Sequence, residues 1–428
     1  MARLASGVEL PVGRGPLAEP GSFGAGIVHL GLGAFHRAHQ AVYTEAAMAC
    51  SGGDWGTVGI APRSRDIVDA LTAQDLLFSV VTLGGSGARA VAAFSEVLNA
   101  DADPARVIKA LADPAIKVVT LTVTEKAYRV DSPIMRLLVA GLRVRGGAPI
   151  TVLSCDNLPS NGSALAAVVL GLAPELSATV SFPSCMVDRI VPATNRSILD
   201  RAATDLGMED LAAVGAEPFS QWVIEDDFAA GRPDWEAGGA QFTTDVTAWE
   251  HLKLRTLNGV HSALAYLGSL SGRETIAEAL QLPGIAGMLR RYVAQEVAIS
   301  MSPPDGVDVV KYGETVLTRF ANPELGHRTA QVAMDGTQKL PQRLLSVLNS
   351  VPAPQFATLI AAAWAQYAAG DQPLDDPLAS RVRADLSTEA LFGEGGVLPV
   401  PDSERRAMID TWRRELAKHG AVKVVAAL

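Results

Sequence analysis

Cysteine is scarce in this chain of 428 residues, with only three present. Cys50, Cys155 and Cys185 are odd in number and not closely spaced, which excludes a disulfide framework and a cysteine-based zinc site and points to a reducing compartment. They read as core or near-core thiols. Long apolar runs are missing too. The longest, Ala164 to Ala173, is about half of the roughly 18–20 residues that a membrane-spanning helix needs, so a soluble protein is expected. The first residues, Met1-Ala2-Arg3-Leu4-Ala5-Ser6-Gly7, lack the basic, apolar and small-residue order of a secretory signal, and the expected location is the cytoplasm. Basic charge is in deficit, with 36 Lys and Arg against 46 Asp and Glu and a formal net charge of −10. No stretch interleaves Lys and Arg with aromatics, so nucleic acid is excluded as a partner. Neither a repeat of roughly 20–50 residues nor a low-complexity linker is present.

What is present is a chain that is 48% hydrophobic and 19% charged, enough for a large buried core and for two or three domains. Its first half alternates short Val- and Ile-rich runs with helix-forming segments, the pattern of an α/β fold with a parallel sheet covered on both faces. Strands are predicted near Ile27–Leu30, Thr57–Ile60, Val118–Val123, Ile150–Leu153 and Thr179–Phe182. Helices are predicted at Pro104–Leu111 and Ser163–Leu172, and a further strand at Gln221–Asp226. From about Trp249 helix dominates: Leu252–Leu267, Thr275–Leu282, Ile285–Ala298, Arg343–Leu348, Gln355–Ala369 and Ser403–Ala417. The expected organisation is a Rossmann-type parallel-sheet domain over residues 1–245 and a mainly α-helical domain over 246–428.

The first chemical signal is Ile27-Val28-His29-Leu30-Gly31-Leu32-Gly33-Ala34-Phe35-His36-Arg37, a strand, a glycine turn and a helical stretch. Gly31 would permit the tight turn, and Gly33 would let backbone approach a pyrophosphate at the helix N-terminus. His36 stands where G-x-G-x-x-G has its third glycine. On this motif alone a dinucleotide site and a plain strand-to-helix turn are equally good readings. After the second strand comes Gly59-Ile60-Ala61-Pro62-Arg63-Ser64-Arg65-Asp66, with no acid at the strand end to read a ribose. Arg63 and Arg65 would suit a 2′-phosphate, or lie solvated, and Asp66 would reach back to the ribose. NAD and NADP both remain open here.

The second signal is Trp249-Glu250-His251-Leu252-Lys253-Leu254-Arg255-Thr256-Leu257-Asn258-Gly259-Val260-His261-Ser262. At about 100° per residue, Glu250, Lys253, Asn258 and His261 fall within an arc of roughly 140°. Such a face carries an acid, a base, an amide and an imidazole. A desolvated lysine can act as general base toward an alcohol, and an asparagine amide can donate to the oxygen that becomes an alkoxide. A solvated polar helix face is the alternative. The third signal, Leu153-Ser154-Cys155-Asp156-Asn157-Leu158-Pro159-Ser160-Asn161-Gly162, follows a strand, where open α/β sheets bind ligands. Asn157 would give a second amide there, or simply form an Asx-turn.

Together these segments resemble the polyol-specific long-chain dehydrogenase/reductase family, which includes mannitol 2-dehydrogenase and the fructuronate reductases. Supporting stretches are Thr120-Leu121-Thr122-Val123-Thr124-Glu125-Lys126-Ala127-Tyr128, Met186-Val187-Asp188-Arg189-Ile190-Val191-Pro192, and Val223 to Phe228 leading to Gly231-Arg232-Pro233. The resemblance implies a metal-free, nicotinamide-dependent secondary-alcohol dehydrogenase. In its terms Lys253 matches the catalytic lysine, and Asn157 and Asn258 the oxyanion-binding asparagines. His261 matches the histidine on substrate hydroxyls, Glu250 a gate for proton exchange, and Asp188 an acid near the site. The cofactor set it implies is Gly31, Gly33, Phe35, His36, Arg63, Ser64, Asp66 and Thr124, with NAD the usual cofactor and NADP raised by Arg63-Ser64-Arg65.

Neither a Tyr-x-x-x-Lys pair nor a Cys/His set for catalytic zinc is present. The stretches His327-Arg328-Thr329-Ala330 and Met334 to Arg343 resemble the uronate-reducing members. Arg328, Lys339 and Arg343 would supply cations for a sugar-acid carboxylate, or lie on the surface. The expected substrate pair is fructuronate and mannonate, with mannitol/fructose or another polyol as the alternative. A non-catalytic dinucleotide-binding sensor is the alternative of another class.

Overall fold

The computed structural model describes residues 2–428, and the chain divides between Val246 and Thr247 into two compact units. No helix among the described residues is long and apolar enough to cross a membrane.

The first unit is built on a six-stranded parallel sheet. Its strands are β1 (Ala25–Leu30), β2 (Gly56–Ala61), β5 (Phe94–Asn99), β6 (Val118–Leu121), β7 (Ile150–Ser154) and β8 (Val180–Ser181), in the spatial order β5-β2-β1-β6-β7-β8. The order reverses between β1 and β6, which makes the carboxyl ends of those two strands the topological switch point of a doubly wound sheet. Strands β2, β6 and β7 are buried on both faces, so their sequences read as continuous apolar runs. Helices α1 (Ala34–Ala38), α2 (Gln40–Ser51) and α3 (Asp66–Thr72) lie in the first half of the unit. They are followed by α4 (Pro104–Ala112), α5 (Pro133–Val144), α6 (Asn161–Leu172) and α7 (Arg196–Leu206). Leu111 of α4, Leu138 of α5 and Leu165 of α6 share one core with Val28, Ile60 and Val152. Asp103 starts α4 by accepting the Arg106 N–H at 3.0 Å, and Pro104 occupies the position where a missing N–H costs nothing.

Six strands, β3 (Phe78–Thr82), β4 (Gly87–Val91), β5, β9 (Cys185–Asp188), β10 (Val214–Ala216) and β12 (Gln241–Thr243), were not predicted. A hairpin of β3 and β4 pairs with β10 in a separate sheet, and β5 forms the edge of the main one. The predicted strand at Val118–Val123 ends at Leu121, because the chain turns through a positive φ at Thr124. Gln221–Glu225 is a strand, β11, but in a third sheet between β9 and β12.

In the second unit the predicted helix Leu252–Leu267 is three segments. An α-helical turn, α8 (Thr247–Leu252), leads into a π-helical segment over Lys253–Asn258, and α9 (Gly259–Leu270) follows. Two other π segments meet predicted helices: Val293–Val297 lies within Ile285–Ala298, and Pro341–Leu345 overlaps the start of Arg343–Leu348. The helix Gln355–Ala368 is buried almost all round, and its first N–H groups find no cap in Pro354. Glu296, 2% exposed, supplies it: its carboxylate accepts the N–H of Phe356 at 2.7 Å and of Ala357 at 2.8 Å.

Burial pushes the Glu296 carboxyl up to about 7, against the opposing effect of those two donors. Between the ordinary glutamate value and pH 7 the native state therefore holds a proton that the unfolded chain has released, so stability declines as pH rises through that window. The expected decline attributable to this group is at most about 3 kcal/mol. Denaturant midpoints at pH 5 and pH 8 should show a smaller decline in Glu296→Gln than in the unsubstituted chain; equal declines would refute the assignment.

Candidate active site

The turn after β1 is held from below by its own backbone. Ile60 at the end of β2 accepts the N–H of Gly31 at 2.9 Å and of Leu32 at 3.1 Å. The Leu32 carbonyl takes Arg37 Nη1 at 3.1 Å. The Gly31 carbonyl takes the Thr122 hydroxyl at 2.9 Å and lies 3.0 Å from His29 Nε2. A carbonyl can only accept, so His29 carries its proton on Nε2 and Nδ1 accepts from the Thr120 hydroxyl at 2.7 Å. Burial brings the His29 pKa down to about 3, which keeps the ring neutral. Among the described residues, the N–H groups of Ala34, Phe35 and His36 in the first turn of α1 take no backbone carbonyl.

The two glycines differ in what they are for. Gly31 has φ +111°, and a Cβ there would stand 2.1 Å from the Thr122 carbonyl oxygen. At Gly33 a Cβ would meet nothing closer than the Gly31 carbonyl at 3.7 Å, so protein packing does not demand glycine there. A bare backbone beside free N–H groups fits a pyrophosphate. Phe35 is half-buried and stacks on His39 at 5.0 Å.

His36 departs from the expectation that its side chain meets a cofactor. It is 1% exposed, stacked on His29 with ring centroids 3.4 Å apart and packed against Phe94. The imidazole fills the space between helix and sheet that a third glycine would close, which leaves only its backbone N–H to face a ligand. Burial, with the neighbouring His29 and Arg37, holds its pKa well below the usual value.

Asp156, which sequence reasoning did not single out, ties the ends of β6 and β7 together. Its carboxylate accepts the N–H of Val123 at 3.0 Å and of Thr124 at 2.9 Å, and the Tyr128 hydroxyl at 2.8 Å. This holds Thr124 at φ +71°, a strained conformation for a β-branched residue, with its side chain exposed beside the switch point. Asn157 follows directly and is exposed, whereas Asp188 at the end of β9 is 4% exposed. Arg63, Ser64 and Asp66 are exposed just after β2.

In the second unit the π segment sets the polar face. The Gly259 N–H reaches back five residues to the Leu254 carbonyl. Lys253 and Asn258 are the first and last residues of that segment, i and i+5, and i→i+5 winding stacks them one turn apart where an α-helix would splay them. Both are half-buried, and Glu250 is 9% exposed. A Cβ on Gly259 would lie 3.0 Å from the Tyr292 hydroxyl and 3.1 Å from the Arg343 carbonyl, so glycine lets those groups approach the end of the segment.

His261 stacks on Phe320 at 4.5 Å and on His327 at 5.3 Å, and its Nε2 is buried with no partner among the described residues. Burial drives its pKa well below the usual value, and His327, Arg343, Arg319 and Lys339 push the same way. The imidazole is therefore neutral in positive surroundings. Arg343 lies with Nη1 3.4 Å from the Ser262 hydroxyl, and Lys339 Nζ donates to the Met334 carbonyl at 2.7 Å with Asp335 at 3.6 Å. Arg319, 7% exposed, was missed from sequence because an arginine in the last turn of Val309–Phe320 looks like an ordinary complement to the helix dipole. Arg328 is not part of this group as the structure has it: it is exposed, with no hydrogen bond or ion pair from its guanidinium among the described residues.

Gly31→Ala should destabilise the chain by about 2 kcal/mol or more, from left-handed backbone and a backbone clash together, whereas Gly33→Ala should change stability by less than about 1 kcal/mol. Denaturant unfolding of the two variants compares them directly, and equal effects would contradict the different tasks assigned to the two residues.

Two family models match the chain: the mannitol dehydrogenase Rossmann domain over residues 25–237 and the mannitol dehydrogenase C-terminal domain over residues 245–391. The D-mannonate oxidoreductase of Escherichia coli strain K12 is 38% identical, across 98% of this chain and 98% of that protein. A mannitol 2-dehydrogenase of Cereibacter sphaeroides is also 38% identical, over 81% of each. Among solved structures, the Pseudomonas fluorescens mannitol 2-dehydrogenase in ternary complex with NAD and D-mannitol superposes with a TM-score of 0.84 at 32% identity, covering 98% of this chain and 97% of that one.

Proposed function

The chain is an oxidoreductase belonging to the mannitol dehydrogenase family, and from that premise we propose that it interconverts a keto-sugar acid and its polyol acid, D-fructuronate and D-mannonate, with NAD. The observation that carries the choice of substrate is the positive field around His261, to which Arg343, Arg319 and Lys339 all contribute. Lys339 already faces Asp335 at 3.6 Å, so Arg343 is the member assigned to a substrate carboxylate, which an arginine can take in a bidentate contact. Full-length similarity to a D-mannonate oxidoreductase supports the same reading. A mannitol/fructose reaction is the second reading, favoured by the likeness to the mannitol 2-dehydrogenase solved with D-mannitol. The non-catalytic sensor has no support among the relatives described above, which are named as enzymes.

In this reading residues 1–245 hold the dinucleotide and residues 246–428 carry the catalytic helix. Gly31, Gly33 and the backbone of Phe35 and His36 hold the pyrophosphate, Thr124 borders the nicotinamide, and Arg63, Ser64 and Asp66 lie toward the adenosine. The nicotinamide ring, when bound, accepts or returns hydride. Neutral Lys253 takes the hydroxyl proton as the carbinol carbon is oxidised, and protonated Lys253 returns it in reduction. Asn258, one π turn from Lys253, donates to the same oxygen, and Asn157 is assigned the second amide. Glu250 passes the proton between Lys253 and water, while His261 and Asp188 meet substrate hydroxyls. With its ring neutral, His261 offers one donor and one acceptor to those hydroxyls.

Lys253→Ala should lower kcat by about 10³-fold or more while NADH still binds, as read by stopped-flow turnover and by fluorescence titration; near-normal turnover would remove the lysine from its role. Across fructuronate, tagaturonate, fructose and mannitol, kcat/KM should be highest for a uronate. Arg343→Ala should cost the uronate at least about tenfold more than fructose. A chain that prefers fructose, with both substrates equally affected by the substitution, would favour the polyol reading.

A further inference from the structure

Asn157 leaves the sheet at the end of β7 with its side chain exposed, whereas Asp156 immediately before it is 9% exposed. Packing alone does not fix an exposed amide, so the aim of Asn157 depends on how firmly its backbone is held.

That backbone is tied from two directions. Oδ1 of Asp156 accepts the Thr124 N–H at 2.9 Å, and Oδ2 accepts the Val123 N–H at 3.0 Å and the Tyr128 hydroxyl at 2.8 Å. With its one proton given to the carboxylate, the Tyr128 oxygen accepts from the Ser154 hydroxyl on β7. A plain Asx-turn would aim the carboxylate at the backbone that follows it; here all three donors come from the chain after β6. The main chain is held as well. The Asp156 carbonyl accepts the Leu158 N–H at 2.8 Å and Asn161 Nδ2 at 3.1 Å. Asn161, 1% exposed, also grips Cys185 of β9, donating from Nδ2 to its carbonyl at 2.8 Å and accepting its N–H on Oδ1 at 3.0 Å. The residue before the exposed amide is thus bound to the end of β6 by its side chain and, through Asn161, to β9 by its carbonyl.

We infer that Asp156 is a positioning residue for the proposed reaction, and that it acts through Asn157 by fixing the place from which that amide donates to the reacting oxygen. This rests on the assignment of Asn157 above and deepens it. A donor aimed at an oxygen that gains charge only in the transition state works by geometry, and a displacement of about 1 Å can cost on the order of 10²-fold in rate. The loss therefore belongs in kcat, with binding of dinucleotide and sugar little changed. Asparagine at position 156 has nearly the same volume but one acceptor oxygen in place of two. Whichever way it is turned, its NH2 group faces the N–H of Thr124 or of Val123.

The test is a double-mutant cycle on kcat with the best substrate of the panel above, and NADH affinity read by fluorescence. Asp156→Asn should lower kcat by about tenfold or more, while KM for the sugar and the NADH Kd stay within about threefold. Asn157→Ala should also lower kcat, and adding Asp156→Asn to it should cost less than about twofold more, because the amide being positioned is gone. Tyr128→Phe removes one donor from the same carboxylate and serves if Asp156→Asn fails to fold; its smaller loss should likewise vanish in the Asn157→Ala background. Near-normal kcat in Asp156→Asn, losses that multiply in the double variant, or NADH affinity falling as far as kcat would overturn the positioning role and leave the proposed reaction standing. Near-normal kcat in Asn157→Ala would remove the amide from the reaction, and the role of Asp156 with it.

Discussion

Between Lys253 and Asn258 the backbone hydrogen bonds of the helix close five residues back instead of four, and the chemistry assigned to the second unit depends on that one interval. The i→i+5 pattern is rarely adopted by an isolated helix and persists where neighbours enforce it. Here they are close at hand. The absence of a side chain on Gly259 admits the Arg343 carbonyl and the Tyr292 hydroxyl to the end of the segment. Arg343 itself belongs to a second π segment packed against the first, one that opens on Pro341, a residue with no N–H to donate. The amine and the amide are thus brought onto one side of the helix by how the chain is wound, and their spacing is a property of the surrounding packing.

The first unit arranges its polarity the opposite way, with a buried, neutral and heavily bonded layer beneath an exposed turn. His29 spends both ring nitrogens on internal partners, and His36 lies against it as a flat filler. Both are kept uncharged by burial. The carbonyls and N–H groups of Gly31 and Leu32 are all taken up inside the protein, so the donors left for a ligand are those of Ala34, Phe35 and His36 at the start of α1. Asp156 adds the other fixed point by holding Thr124 in a conformation that the residue would not adopt alone. Rigidity below and exposed donors above suit an anion that binds to backbone.

How much of this was legible in the sequence follows from how each element is buried. Strands β1, β2, β6 and β7 sit inside the sheet, and their unbroken apolar runs identify them. Strand β5 carries Ser95 and Glu96 at the sheet edge, and β4 is Gly-Ala-Arg-Ala-Val, too small and mixed to stand out as a strand. The polar set Glu250, Lys253, Asn258 and His261 was visible as composition, but the π winding that relates its members was not, because no residue type encodes i→i+5 closure. His36 was placed with the cofactor by its position in the glycine motif, which cannot distinguish a ligand contact from a volume filled by a ring. Asp156 and Arg319 were passed over for the converse reason: an acid after a strand and an arginine ending a helix each have an ordinary local explanation.

A π segment carries one residue more than regular winding would place over the same rise. Loss of a single codon between Lys253 and Asn258 would let the helix relax to four-residue closure, with the amine and the amide at i and i+4 and still one turn apart. Glu250 and the amine would stay on the face they share with the amide, and His261 and the cations around it would keep their places. Within this family a one-position gap in that stretch is thus the change of length that the helix absorbs most readily, and members that differ there should be expected to keep the chemistry that an exchange of the amine or the amide would end.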